Sequence, residues 1–198
     1  MKTNIRSTFC RIAGKALLQM TLLSAGWASA APVVAEGERL VQEVPKDFKI
    51  VSRESNKTWG MAYMVPVDET AAHWTERVST QVFYDAKTVS YFGLSGEQLR
   101  LWQDSCDAST IDYAKDGQQN GYTTHAWVQS CRFRNASNKP TIALIKMTEG
   151  RERVYLTQVV FHYAPDDAKV AQWSKYLDAI EVCDMRLKGR ECPQPTAP

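Results

Sequence analysis

The cysteines of this chain constrain its fold most. Whether they form disulfides depends on the compartment of the protein, which the first thirty residues indicate. Residues 1–30 carry four early basic residues, a short apolar run and the small-residue sequence Ala28-Ser29-Ala30. This order of charged, apolar and small segments is typical of a secretory signal peptide. We therefore predict that residues 1–30 are a signal peptide, that the protein is periplasmic or secreted, and that Cys10 leaves with the signal.

Four cysteines remain after such a cleavage: Cys106, Cys131, Cys183 and Cys192. An even number of cysteines in an exported domain favours disulfides over free thiols or a metal site. Zinc is the alternative, but the sequence has neither the Cys-x-x-Cys nor the His-x3-5-His spacing that zinc sites use. Three pairings of four cysteines are possible. The order of the predicted elements favours one of them.

The charge of the chain changes sign when the signal is removed. The 198 residues include 24 basic and 22 acidic side chains, a net charge of +2. Four of the basic residues lie in residues 1–30, so 20 basic and 22 acidic residues remain, a net charge of −2. Nucleic-acid binding needs a clustered basic face, which this interspersed pattern lacks, so we exclude a nucleic-acid partner. No segment has the roughly 20 apolar residues of a membrane-spanning helix, so we predict a protein that does not span a membrane.

The remaining 168 residues are long enough for one domain with its own core. We predict a flexible lead-in over 31–45, a single α+β domain over 46–192 and a disordered tail over 193–198. Alternating apolar and polar residues predict a hairpin of strands 48–52 and 59–65, followed by a strand over 74–84. A single helical turn is expected over 68–73.

The central part of the chain predicts a helix followed by a strand. Ser95 with Gln98 three residues later resembles a capping box, which predicts a helix from Ser95 to about residue 107. After a turn-rich segment, alternation predicts a strand over 122–133. Cys106 lies on the apolar face of that helix and Cys131 on one face of the strand. A helix packed on this strand face would bring the two sulfurs together, so we favour a Cys106–Cys131 disulfide.

The last third predicts a hairpin and a terminal helix. Strands over 141–148 and 153–163 are joined by a polar turn, and a helix begins near residue 165 with one apolar stripe: Val170, Trp173, Leu177 and Ile180. Cys183 follows that helix, and a bridge to Cys192 would close a short loop and hold the tail. The order of elements predicts an α+β fold, mainly an antiparallel sheet, with two helices packed on one face and two disulfides.

Two resemblances accompany this pattern. The stretch His73-Trp74-Thr75-Glu76-Arg77-Val78-Ser79-Thr80-Gln81-Val82-Phe83 resembles a pattern in small exported bacterial proteins of uncharacterised function. The hairpin segment Ala143-Leu144-Ile145-Lys146, followed by Trp173 and Cys183, resembles the same group, and the likeness covers most of residues 74–184. The element order also resembles the Mog1/PsbP-like layout, an antiparallel sheet flanked by helices. These resemblances imply a fold and no catalytic or binding residue.

Histidines and acids offer few patterns that indicate catalysis. The three histidines are too dispersed to predict a metal site, and we predict no metal and no cofactor. His125 shares its strand face with Trp127, which favours a histidine satisfied within the core; the alternative is a catalytic group. Four acidic residues lie around the end of the predicted helix and the segment after it: Asp104, Asp107, Asp112 and Asp116. We expect this segment to be a solvated loop. Their spacing does not match a calcium loop.

Tryptophans are the stronger binding candidates. Trp59 and Trp74 stand at the starts of predicted strands, where they lie in the core or anchor a partner. Our leading hypothesis is an exported, non-enzymatic binding protein that engages a protein or another cell-envelope component through these two residues. One alternative is an envelope hydrolase that uses His125 and nearby carboxylates. Another is a structural subunit of an envelope or secretion assembly. The pattern leaves the oligomeric state open.

Overall fold

A computed structural model describes residues 37–133 and 140–193 of the chain. The predicted signal peptide, residues 31–36 of the predicted lead-in and residues 194–198 lie outside the described residues. None of the described helices is long and apolar enough to cross a membrane.

The described residues form strands and two α-helices in an α+β arrangement, as predicted. The strands are β1 Glu38–Val41, β2 Phe48–Ser55, β3 Trp59–Pro66, β4 Glu76–Phe83, β5 Cys106–Gln119, β6 Tyr122–Phe133, β7 Pro140–Glu149, β8 Val154–Phe161 and β9 Glu181–Asp184. The helices are α1 Tyr91–Ser105 and α2 Asp167–Ala179, with a short 3-10 turn at Ala86–Thr88. Seven strands form one antiparallel sheet in the order β2-β3-β4-β8-β7-β6-β5. Strands β1 and β9 form a separate antiparallel pair.

The strand register assigns side chains to two opposite faces of the large sheet. Val78, Val159 and Leu144 are register partners on β4, β8 and β7, and they pack against α2. Alternation places Ala143 and Val160 on the opposite face, where the core packs against α1. We call these the α2 face and the α1 face. The two helices therefore cover opposite faces, which corrects the prediction that they pack on one.

Helix α2 begins where the sequence predicts. The Asp166 carboxylate accepts a hydrogen bond from the Lys169 backbone N–H at 2.7 Å and caps the helix. Trp173 and Leu177 are buried against the sheet, and burial of such side chains contributes about 1.5–3 kcal/mol each. The Trp173 indole N–H donates to the Glu76 carboxylate at 3.1 Å, so the ring enters the core with its polar atom satisfied.

Helix α1 begins earlier than predicted. The cap is Ser90, whose hydroxyl accepts from the Gly93 backbone N–H at 3.1 Å, whereas Ser95 lies inside the helix. The capping-box pattern at Ser95 was misleading because Tyr91 and Leu94, which precede it, pack against the α1 face and extend the helix by a turn. Tertiary packing therefore decides this boundary.

Two further local predictions are wrong. Residues 68–73 form turns and bends without a helical turn. The acidic segment after α1 is mostly strand: Asp107, Asp112 and Asp116 lie on β5, which pairs with β6 from Cys106 to Gln119. Their side chains are exposed, because β5 is an edge strand whose main chain pairs on one side while charged side chains face water.

Both predicted disulfides are present. Cys106 and Cys131 are bonded with Cα atoms 5.5 Å apart, and Cys183 and Cys192 with Cα atoms 4.9 Å apart. The first joins Cys106, the C-cap residue of α1, to β6; the predicted pairing is confirmed, but Cys106 begins β5 and does not lie on a helix face as predicted. The second closes the segment after β9, a strand that the sequence pattern did not predict.

The β1–β9 pair holds two buried carboxylates at opposing positions, Glu38 and Asp184. Glu38 accepts backbone N–H groups of Arg151 at 2.6 Å and Arg153 at 3.1 Å, so it fastens β1 to the turn between β7 and β8. Hydrogen bonds from Arg186 lower the pKa of Asp184 to about 2. Strand β1 lies within the predicted lead-in and gives that segment an ordered part.

Gly150 tests this attachment, because it leaves the space that the Glu38 carboxylate fills. A Cβ atom at Gly150 would lie 2.1 Å from Glu38 Oε1 and 2.5 Å from the Arg153 carbonyl oxygen. We predict that Gly150→Ala lowers the free energy of unfolding by about 1–3 kcal/mol, measured by urea denaturation.

The control for this substitution is Gly96→Ala on α1, where a Cβ atom would meet nothing within 4 Å. We expect Gly96→Ala to stabilise the protein slightly, because alanine favours helix over glycine by about 1 kcal/mol. Equal stability of Gly150→Ala and the wild type would contradict the role assigned to Glu38.

Candidate functional site

A cavity of about 380 Å³ opens on the α1 face. Gln98, Leu101 and Trp102 from the C-terminal half of α1 form one wall. The opposite wall and floor come from β3, β4 and β8 of the sheet. A volume of this size lies within the roughly 300–1,000 Å³ typical of small-molecule sites.

The position of α1 explains why this part of the sheet is open. Helix α1 packs against β5 and β6, at one edge of the sheet. The Cys106–Cys131 disulfide fixes its last residues there, and both cysteines line the cavity. Strands β3 and β4 lie toward the other edge, so their side chains on this face meet the cavity instead of the helix.

Strand register brings the floor residues together. Tyr63 on β3 is the partner of Ser79 on β4, which is in turn the partner of Gln158 on β8. Arg77 lies two residues from Ser79 on the same face and is the partner of Val160. The floor is therefore a row of polar side chains bordered by aromatic and apolar ones.

Trp74 stands in a stack of aromatic and cationic groups at one end of the cavity. Its ring lies 3.8 Å from the His162 ring between centroids, with the planes 26° apart. The Arg77 guanidinium carbon lies 4.3 Å from the Trp74 ring centroid and 4.8 Å from the Tyr63 ring centroid. Cation–π contacts of this kind contribute about 0.5–2 kcal/mol and hold the guanidinium in place.

Arg77 is the most informative residue of the site. Its side chain has no ion pair or hydrogen bond with any residue in the described part of the chain, and its buried Nε atom has no partner there. Burial lowers the pKa of Arg77, although a guanidinium stays charged in proteins. Partial burial of a cation without a carboxylate beside it is unfavourable, so Arg77 differs from a fully exposed surface arginine.

The structure separates the two predicted binding tryptophans. Trp74 lines the cavity. Trp59 lies on the same face of β3, two residues before Met61, but is not among the residues that line the cavity. Trp127 and Trp173 are each 3 % exposed and belong to the two cores, as predicted.

His125 meets one of the predicted carboxylates. Its Nδ1 lies 2.7 Å from Asp116 Oδ1, across the β5–β6 pairing, and its Nε2 lies 3.7 Å from Glu149 Oε1. The Tyr91 ring stacks on the imidazole at 4.0 Å with the planes 10° apart. Within the described residues the polar side-chain contacts of His125 are these two acids, so the pair has no nucleophile beside it.

The other acids of the predicted cluster lie elsewhere. Asp104 pairs with Arg100 at 3.0 Å on α1, and Asp112 accepts from Thr110 and Ser130. No group of three His, Cys, Asp or Glu side chains within residues 37–133 and 140–193 could hold a metal ion.

Arg77 was not predicted as a site residue. The alternation of apolar and polar residues over 74–84 predicts that Val78 and Val82 lie on the face that packs against the core. Arg77, Ser79 and Gln81 occupy the other face, which this pattern indicates as solvent-exposed. The available signal was an arginine three residues after a tryptophan, in a strand whose polar face lacks acids between residues 77 and 81.

Two solved structures are similar to this chain at low sequence identity. No family model and no curated protein matches the chain. A Pseudomonas aeruginosa protein of unknown function, PA94, aligns over 84 % of this chain and 90 % of its own, with 10 % identity and a TM-score of 0.38. The cyanobacterial PsbP protein of Synechocystis sp. PCC 6803 aligns over 79 % and 98 %, with 9 % identity and a TM-score of 0.45. The second protein carries the PsbP name, as does the Mog1/PsbP-like layout that the element order resembles. Both TM-scores are below 0.5, so neither structure indicates a function.

The disulfide that anchors α1 can be tested separately from the other. We predict that replacing Cys106 and Cys131 by serine lowers the free energy of unfolding by about 2–4 kcal/mol and increases proteolytic cleavage within α1 of the folded protein. The reason is that the bond joins the end of α1 to β6. Thermal unfolding and limited proteolysis with mass spectrometry measure the two effects.

The matched control replaces Cys183 and Cys192 by serine. This variant also loses a disulfide, but one that joins β9 to the segment after it and is not among the residues that line the cavity. It should lose stability while α1 keeps its resistance to protease. Equal protection of α1 in both double variants would contradict the anchoring role of Cys106–Cys131.

Proposed function

We propose that this protein is an exported, non-enzymatic binding protein that acts in the periplasm or outside the cell and takes its ligand in the cavity on the α1 face. The observation that carries the proposal is the cavity of about 380 Å³ in which Trp74 and Arg77 meet. Two disulfides support an oxidising compartment, in agreement with the signal-like residues 1–30. The proposed partner is a component of the cell envelope.

The lining of the cavity suits a ligand with both apolar and polar parts. Met61, Leu101 and Trp102 supply apolar surface, while Gln81 and Gln158 supply amide groups. Leu101 is 47 % exposed. An apolar ligand group against Leu101 would remove this surface from water.

Trp59 extends the proposed site beyond the cavity. It lies on the α1 face of β3 and is half-buried. A partner larger than the cavity, such as a protein segment, would contact Trp59 and Trp74 together. A small ligand would contact Trp74 alone.

The hydrogen bond between His125 and Asp116 is the observation that favours the alternative of an envelope hydrolase. Two features count against it. Tyr91 covers one face of the imidazole, and His125 is not among the residues that line the cavity. The third alternative, a structural subunit of an assembly, rests on no feature of the described residues.

A neutral fluorescent probe, N-phenyl-1-naphthylamine, tests the cavity as a binding site. We predict saturable binding of one probe per protein and at least tenfold weaker binding to Trp74→Ala, because the indole forms one end of the cavity. Fluorescence titration measures both affinities, and circular dichroism confirms that the variant is folded.

Trp59→Ala is the matched control, since it removes the same side chain from the same sheet face outside the cavity. Its affinity for the probe should equal that of the wild type. Absence of saturable binding, or equal binding by Trp74→Ala, would contradict the proposed site.

A further inference from the structure

We infer that the ligand of this cavity carries an anionic oxygen group, a carboxylate or a phosphate, on an apolar body, and that Arg77 binds the anionic group. The inference rests on the proposed function and names the ligand class of the same site. It follows from the charge of the cavity, the placement of the guanidinium and a second unpartnered polar group.

The charge of the cavity is one-sided. Among the described residues that line it, Arg77 is the only arginine or lysine, and none is an aspartate or glutamate. His162 also lines it, stacked on Trp74. An anion in the cavity would therefore meet a positive group and no carboxylate.

The rings beside Arg77 orient its guanidinium. Tyr63 and Trp74 both contact the group, at 4.8 and 4.3 Å from the guanidinium carbon to the ring centroids. The Nε atom is buried and has no hydrogen-bond partner in the described residues, whereas neither Nη atom is a buried atom without a partner. A fixed guanidinium with accessible Nη atoms is suited to two parallel hydrogen bonds with a carboxylate or phosphate.

Thr141 provides the second observation. It is 4 % exposed, lines the cavity, and its hydroxyl has no hydrogen-bond partner in the described part of the chain. Buried hydroxyl groups are nearly always paired, so an unpaired one that lines a cavity indicates a ligand atom. As a donor, Thr141 would serve an anionic oxygen as Arg77 does.

The apolar body of the ligand is inferred from the cavity wall that α1 forms. Leu101 and Trp102 on α1 face the floor residues across the cavity, and Met61 borders them on β3. A purely hydrophilic anion would make no apolar contact with this wall. Amphiphilic anions, such as a fatty acid or an alkyl phosphate of the envelope, satisfy both walls.

Two probes with the same aromatic body test the inference. 8-Anilinonaphthalene-1-sulfonate has the anilinonaphthalene group of N-phenyl-1-naphthylamine with an added sulfonate, which stands in for the anionic oxygen group. We predict that the full-length protein binds the anionic probe at least tenfold more tightly than the neutral probe. Arg77→Gln should lose this preference, with at least tenfold weaker binding of the anionic probe and less than twofold change for the neutral one.

Arg53→Gln is the matched control. Arg53 is exposed on β2 and pairs in register with Ala62, which places it on the opposite face of the sheet. The substitution removes the same charge and should leave both affinities unchanged. Arg77→Lys keeps the charge but loses the planar group, and it should weaken binding of the anionic probe while remaining folded by circular dichroism.

Competition then identifies the anionic group. Decanoate and decyl phosphate should each displace the anionic probe, and the one that does so at lower concentration identifies the preferred group. Decanol, which has a similar chain and no charge, should displace it at least tenfold less well. Equal displacement by decanol, equal affinity for the two probes, or equal weakening of both by Arg77→Gln would overturn the inference. Saturable binding of the neutral probe in any of these cases leaves the proposed function standing.

Discussion

The disulfide between Cys106 and Cys131 is the constraint on which the candidate site depends. It joins Cys106, the C-cap residue of α1, to β6, and α1 covers the β5–β6 side of its sheet face while β3 and β4 line the cavity. Met61 and Tyr63 on β3 line that cavity. The covalent bond thus sets the geometry of the proposed binding site.

Arg77 lines this cavity without a carboxylate partner among the described residues. An arginine of a folded protein commonly pairs with a carboxylate, as the half-exposed Arg186 does with the buried Asp184. Arg77 instead contacts two aromatic rings and an open cavity. The rings hold its position without neutralising its charge, and this combination is suited to anion recognition.

Sequence patterns predicted elements wherever one periodicity was strong. Strand 122–133 and the helix around Trp173 have the predicted bounds within a few residues, and both disulfides follow from their placement. Strand β5 was missed because its formation depends on main-chain pairing with β6, while its side chains are polar and exposed. The opposite placement of the helices was missed because alternation along single strands does not say which face each helix meets. Arg77 was missed for a related reason. Polar residues on one face of a strand predict a solvent-exposed face, and the sequence does not show that a helix lies over part of that face.

The tryptophan indole N–H signals in a two-dimensional nitrogen–proton NMR spectrum test the central claim most directly. These groups lie in different places: Trp74 and Trp102 line the cavity, while Trp173 donates to Glu76 on the opposite face. Titration with 8-anilinonaphthalene-1-sulfonate should shift the Trp74 and Trp102 signals in a saturable way, with a common dissociation constant, and leave Trp173 in place. A shift of Trp173 equal to that of Trp74, or no saturable shift of Trp74, would contradict binding in this cavity.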